Sequence, residues 1–172
     1  MDFFEVVRIR RSVRAFKDQM VEQEKLKAIL ETVNQAPSAG NLQAYEVYVI
    51  RDAERRTALV NATLGQGFMA QAQVILVFCT HSKRAEIRYG QRGVDLYTLQ
   101  DATIACTYAM LAAAALGLAT VWVGKFDEAL VTEIAGLPAG QRPVAMLPLG
   151  YAAESPQAPT RRELRDLVHE MT

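Results

Sequence analysis

Residues 101–124 read DATIACTYAMLAAAALGLATVWVG. Ala102, Ala105, Cys106, Ala109, Ala112, Ala113 and Leu116 recur at helical spacing, which predicts a helix with one face of almost entirely small side chains. The backbone of such a helix can lie very close to whatever is opposite. Gly117 supplies the left-handed residue that ends it, and Thr120 to Val123 reads as a short buried strand stopping at a second glycine, Gly124. Helix, tight stop and strand together form a scaffold able to hold bare backbone N–H groups against a flat ligand.

Upstream, Asp2 and Glu5 have capping-box spacing, which starts a first helix at Phe3 and ends it near Arg10. Leu26, Ile29, Leu30 and Val33 give an amphipathic helix between Glu22 and Ala36, stopped by Pro37. The turn-rich PSAGNLQAY then feeds an alternating strand, Tyr45 to Ile50. A charged helix over Arg51 to Leu64 follows, and Val74 to Thr80 (VILVFCT) is a continuous apolar strand covered on both faces. Between them, Gly65 to Ala70 matches the GxGxxA dinucleotide pattern letter by letter, but a helix precedes it where the fingerprint requires a strand, so the match is rejected. His81 to Tyr97 is polar and reads as a mobile surface segment or short helix. Downstream, Asp127 caps a helix to about Ala135. Val144 to Tyr151 is a last strand, in which Pro148 suits an edge or bulge. The tail reads as a proline-rich linker into a terminal helix opening with Arg161 and Arg162.

Composition bounds the function. A chain of 172 residues that is 51% apolar and 22% charged predicts one globular domain, residues 1–172. Nineteen Lys plus Arg balance nineteen Asp plus Glu, so the overall charge points neither to nucleic acid nor to an acidic membrane. No leader or membrane-spanning run is recognisable, and the chain reads as cytoplasmic. Cys79 and Cys106 lie apart in apolar runs, as buried packing residues do, and with His81 and His169 they make no metal motif.

Anion binding is therefore local. RIRRSVRAF gathers Arg8, Arg10, Arg11 and Arg14 around Ser12, and arginine forks suit bidentate recognition of phosphate. Arg161 and Arg162 form a second basic pair, while Ser38, Asn41 and Gln43 could read the edge of a planar heterocycle.

Taken in order, RRSVRAF, APSAGNLQ, the small-residue helix running into LGLATVWVGKFD, and PLGY with its paired-arginine tail resemble the FMN-dependent nitroreductase family over nearly the whole chain. The resemblance implies an α+β fold with a central, antiparallel-rich mixed sheet flanked by helices. It also implies a homodimer with FMN sites at the subunit interface. Carried over, Arg10, Arg11, Ser12 and Arg14 hold the FMN phosphate and ribityl chain, and Arg161 or Arg162 completes the phosphate clamp. Pro37, Ser38, Ala39, Asn41 and Gln43 reach FMN from the partner subunit. Trp122, Val123 and Gly124 lie beside the isoalloxazine, with Gln66 at its pyrimidine edge. The small helix face would then let two subunits approach.

No side chain is an obvious acid or nucleophile, so no catalytic residue is assigned; the hard chemistry is the cofactor's. The implied activity is ping-pong electron transfer from NADH or NADPH to a small acceptor such as a nitro compound or quinone. The competing readings are a dehalogenase or dehydrogenase on the same scaffold and a flavin-binding protein without turnover. Ala44-Tyr45 stands where many members have Pro-Trp, Lys125 occupies a position often small or acidic, and the lid insertion of larger members is missing, which implies an open pocket.

Overall fold

The computed structural model describes residues 1–171. Four strands, β1 (Tyr45–Ile50), β2 (Val74–Thr80), β3 (Ala119–Thr120) and β4 (Pro143–Gly150), form an antiparallel sheet in the order β1-β2-β4-β3. Among the described residues the one parallel element is a bridge between Ser12 and Thr120. Helices cover both faces: α1 (Phe3–Ile9), α2 (Gln23–Val33), α3 (Ala53–Ala62), α4 (Phe68–Gln71), α5 (Ser82–Arg92), α6 (Thr98–Ala115) and α7 (Glu128–Ala135).

The period of two along β2 divides the interior. Ile75, Val77 and Cys79 face a core shared with Leu59 of α3 and Val131 of α7, whereas Leu76 and Phe78 face α2 and α6. All seven residues of β2 are buried, as its unbroken apolar run requires. Local chemistry sets the helix starts: the Asp2 carboxylate accepts the Glu5 N–H, and that of Asp127 accepts those of Ala129 and Leu130. The segment from Gly65 to Ala70 follows α3 directly and enters the four-residue α4, so no strand stands before it.

Helix α6 lies across the sheet. Ala102, Ala105, Cys106, Ala109 and Ala113 are fully buried within the protomer, against β2, β4 and α2. This corrects the expectation that the small face serves subunit approach: the sheet itself uses it. The helix ends as predicted. Gly117 is left-handed at φ +74°, the Leu118 N–H reaches the Ala113 carbonyl at 2.8 Å, and the Gly117 N–H reaches that of Ala114 at 3.1 Å, a Schellman stop.

Of the two readings of the polar 81–97 segment, the helical one holds: α5 is broken at Gly90 and followed by a π turn, Gly93–Tyr97. Two expectations give way. Pro148 is not at an edge, for β4 is an interior strand between β2 and β3. Met146 exchanges both backbone bonds with Val123, so two residues on the proline nitrogen also faces the β3 side, opposite Val121. Its missing N–H interrupts that ladder and limits β3 to two residues. Finally, the tail forms no α-helix among the described residues. After Tyr151 it is irregular and exposed, with one 3₁₀ turn at Leu164–Asp166.

Candidate active site

The basic segment is fixed by its backbone. The Val13 N–H bonds the Thr120 carbonyl at 3.1 Å, the Ala153 N–H bonds that of Ala15 at 2.8 Å, and the Lys17 N–H bonds that of Tyr151 at 2.9 Å. Buried Val13 and Phe16 anchor it in the core, so residues 12–17 run between the end of β3 and the exit of β4. The arginines are left at the rim of an open cleft of about 480 Å³, lined by Arg8, Arg10, Arg11, Gly117, Thr120, Glu154 and Ser155 among others.

Each arginine has its own setting. Arg11 folds back, Nη1 donating to the carbonyls of Arg8 at 2.7 Å and Arg10 at 2.8 Å, where the end of α1 leaves acceptors free. Arg10 is half-buried, and its Nη1 is buried without a partner among the described residues. Burial first, then the charges of Arg161 and Arg11, lower its pKa from the ordinary value. A buried, unmatched guanidinium nitrogen costs on the order of 1–3 kcal/mol, which an anion in the cleft would recover. Arg161 is thus near enough for its charge to act on Arg10. Arg162 is engaged within the tail, its Nη2 donating to the Asp166 carbonyl. The Glu154 carboxylate enters the same cleft and accepts the Arg14 N–H.

From Thr120 the chain runs extended towards Gly124, roughly 13 Å further at ~3.3 Å per residue. Val123 is buried, and both its backbone groups are engaged by Met146 at 2.9 Å. Gly124 is exposed and its N–H takes no partner among the described residues. A Cβ there would stand 3.0 Å from Trp122 Nε1, so the half-buried indole folds close over the bare backbone. Gln66 braces this turn: its Nε2 donates to the Lys125 carbonyl at 3.3 Å and to that of Thr63 at 3.4 Å.

The remaining predicted residues lie elsewhere. Pro37, Ser38 and Ala39 line a second cleft of about 570 Å³ with Tyr97, Gln100, Asp101, Thr103 and Ile104. The first cleft touches Ala114 and the second Asp101, roughly 20 Å apart along α6 at ~1.5 Å per residue. One protomer therefore brings Arg10 and Arg11 to one cleft, with Ser12 and Arg14 on the segment bridged to Thr120, from which the chain continues to Trp122, Val123 and Gly124, while the charge of Arg161 acts on Arg10. It does not bring Pro37, Ser38, Ala39, Asn41 or Gln43 to them.

The loop of the second cleft is tightly specified. Gly40, Asn41 and Gln43 are all left-handed, at φ +55°, +56° and +49°. The Gln43 N–H bonds Ser38 Oγ at 2.9 Å, and Arg84 Nε bonds the Leu42 carbonyl at 3.0 Å. Asp101, only 2% exposed, accepts the Ala39 N–H through Oδ1 at 2.9 Å, while its Oδ2 has no partner among the described residues. Asp101 escaped the sequence reading although it left a signal, a lone acid heading a helix of small apolar residues. Glu154 left none, since the turn that brings it to Arg14 depends on pairing over more than a hundred residues. Among the described residues no group of His, Cys, Asp and Glu could hold a metal ion, and no helix is long and apolar enough to cross a membrane.

The model of the family described as "Nitroreductase family" matches residues 7–66 and 60–151. The FMN reductase [NAD(P)H] of Bacillus subtilis is 33% identical over 176 residues, covering 94% of this chain and 70% of the relative. The oxygen-insensitive NADPH nitroreductase of Salmonella typhimurium is 32% identical over 167 residues, covering 93% and 70%. Among solved structures, the NADPH:FMN oxidoreductase from Vibrio harveyi complexed with NAD+ superposes with a TM-score of 0.91 at 25% identity, covering 99% of this chain and 77% of that one.

Proposed function

Since the chain belongs to the nitroreductase family, we propose that it is an FMN-dependent oxidoreductase that passes electrons from NADH or NADPH to a small acceptor such as a nitro compound or a quinone. One observation carries the cofactor assignment: a buried arginine nitrogen without a partner, in a cleft rimmed by further arginines, fits a phosphate monoester. Bound there, the flavin supplies the chemistry of accepting hydride and releasing electrons.

The chain's own groups bind and orient. Arg10 and Arg11, with Arg161 from the far end of the chain, hold the phosphate, while Ser12 and Arg14 lie along the ribityl chain. The free N–H of Gly124 meets the ring, Val123 and Trp122 support it, and Gln66 keeps the turn in place. Pro37, Ser38, Ala39, Asn41 and Gln43 complete the site from a second subunit. The separation of the two clefts within one protomer supports that arrangement, as does the apolar outer face of α1, where Phe4 is 81% and Val7 49% exposed. Donor and acceptor take turns on one open site, giving a ping-pong cycle in the cytoplasm.

The test is direct. The purified protein is expected to be a yellow dimer with one FMN per subunit, and NAD(P)H oxidation at several quinone concentrations should give parallel double-reciprocal lines. A protein that binds FMN yet leaves both nucleotides unoxidised would overturn the reductase assignment.

A further inference from the structure

A second basic cluster, outside the one assigned to the FMN phosphate, lies beside the Ser38–Gln43 loop. The Arg88 guanidinium sits 5.4 Å from the Tyr89 ring, Tyr89 meets Tyr97 edge-on at 5.1 Å, and Arg92 sits 5.5 Å from the Tyr97 ring. Gly90 sets the path between the two arginines: at φ +55° and ψ −147° it takes a backbone state open essentially to glycine, breaking α5 between them.

The cluster and the loop are one unit. Arg88 Nη1 donates to the Gly40 carbonyl at 3.4 Å, and a Cβ on Gly40 would come within 2.4 Å of the Tyr89 hydroxyl. Both guanidiniums are exposed, and neither meets a carboxylate among the described residues. The Tyr97 hydroxyl accepts the Arg92 Nε–H at 3.1 Å and so keeps its own proton to donate. Two exposed cations, each held over the ring of one tyrosine of an edge-on pair, and a hydroxyl with a proton to give form a preorganised anion receptor.

We propose that Arg88, Arg92 and Tyr97 bind a phosphate of the nicotinamide donor. The inference rests on the function proposed above, which places the adjoining loop at the mouth of the flavin site. The FMN phosphate has its own arginines, and among the described residues no strand-turn-helix fingerprint offers backbone that could cradle a dinucleotide. Side chains must therefore hold the donor's phosphates, and this cluster sets exposed cations against tyrosine rings beside the loop.

The test compares kcat/KM for NADPH, NADH and phosphate-free reduced nicotinamide riboside, with one quinone, in the wild type, Arg92→Gln and Arg92→Lys. Among the described residues the Arg92 guanidinium bonds only Tyr97, so FMN content serves as the folding control. In Arg92→Gln a loss of about tenfold or more with NADPH alone assigns the 2′-phosphate; an equal loss with NADPH and NADH, sparing the riboside, assigns the diphosphate. Arg92→Lys should restore part of either loss. An unchanged profile, or one falling equally with all three donors, would overturn the inference and leave the reductase assignment standing. A wild type silent with every donor would remove that assignment instead.

Discussion

Glu154 places a negative charge in a cleft otherwise built for anions, where its carboxylate takes the Arg14 N–H. Like charges a few ångströms apart at a partly exposed site cost about 1 kcal/mol. Glu154→Gln is therefore expected to tighten FMN binding by about threefold to tenfold, and Arg10→Gln to weaken it by more than that, both measured by flavin fluorescence titration. The cysteines behave differently. Burial pushes the Cys79 thiol up to about 12 and raises that of Cys106 as well, so both stay protonated, and deprotonation is deferred far into the alkaline range. Neither should react with a disulfide reagent at pH 8 in the native protein, whereas both should react in denaturant; reaction of native Cys79 would contradict its burial. At this scale the basic clusters were legible because four arginines in seven residues stand out in any sequence. Asp101 and Glu154 were not, because their roles arise only when distant backbone N–H groups arrive beside them.

Elements were more legible than the roles of their faces. The spans of β1 and β2 agree with the sequence reading because alternation and an unbroken apolar run are written locally. Pro148 misled because edge status depends on neighbours chosen by the whole sheet, and the small face of α6 because close approach is useful to a sheet as well as to a subunit. The terminal helix failed to form because its apolar residues, Leu164, Leu167 and Val168, find no surface to cover and stay exposed. Asp101, in the first turn of α6, joins that helix to the strained loop through the Ala39 N–H. Asp101→Ala should raise the FMN dissociation constant by about tenfold by loosening the loop. Asp101→Asn keeps an acceptor oxygen, so it should bind FMN nearly as the wild type does. It also removes a buried unmatched charge, so its Tm should hold or rise. Equal weakening in both variants would mean that the charge, rather than the tie to the loop, is what matters.

For the whole molecule, half of the proposed site lies at each end of α6, so on that proposal only an assembly of two copies completes it. Replacing Phe4 and Val7 by Glu on the exposed face of α1 should shift the mass in solution towards the monomer and release flavin in parallel. A monomer that kept its flavin would show that one chain suffices. Sequence patterns could not reveal this organisation, since periodicity reports which side chains leave water and not which copy covers them. It entered through resemblance.

The charge of Arg161 acts on Arg10, yet Arg161 belongs to an exposed tail whose described residues hold one 3₁₀ turn and no α-helix. An anion shared by the two would tie down this exposed, irregular chain, so the terminus becomes a gauge of occupancy. Limited trypsin digestion should clip at Arg161, Arg162 or Arg165 quickly in the flavin-free protein and several-fold more slowly once FMN is added. Cleavage at an unchanged rate would mean that the tail takes no share of the grip.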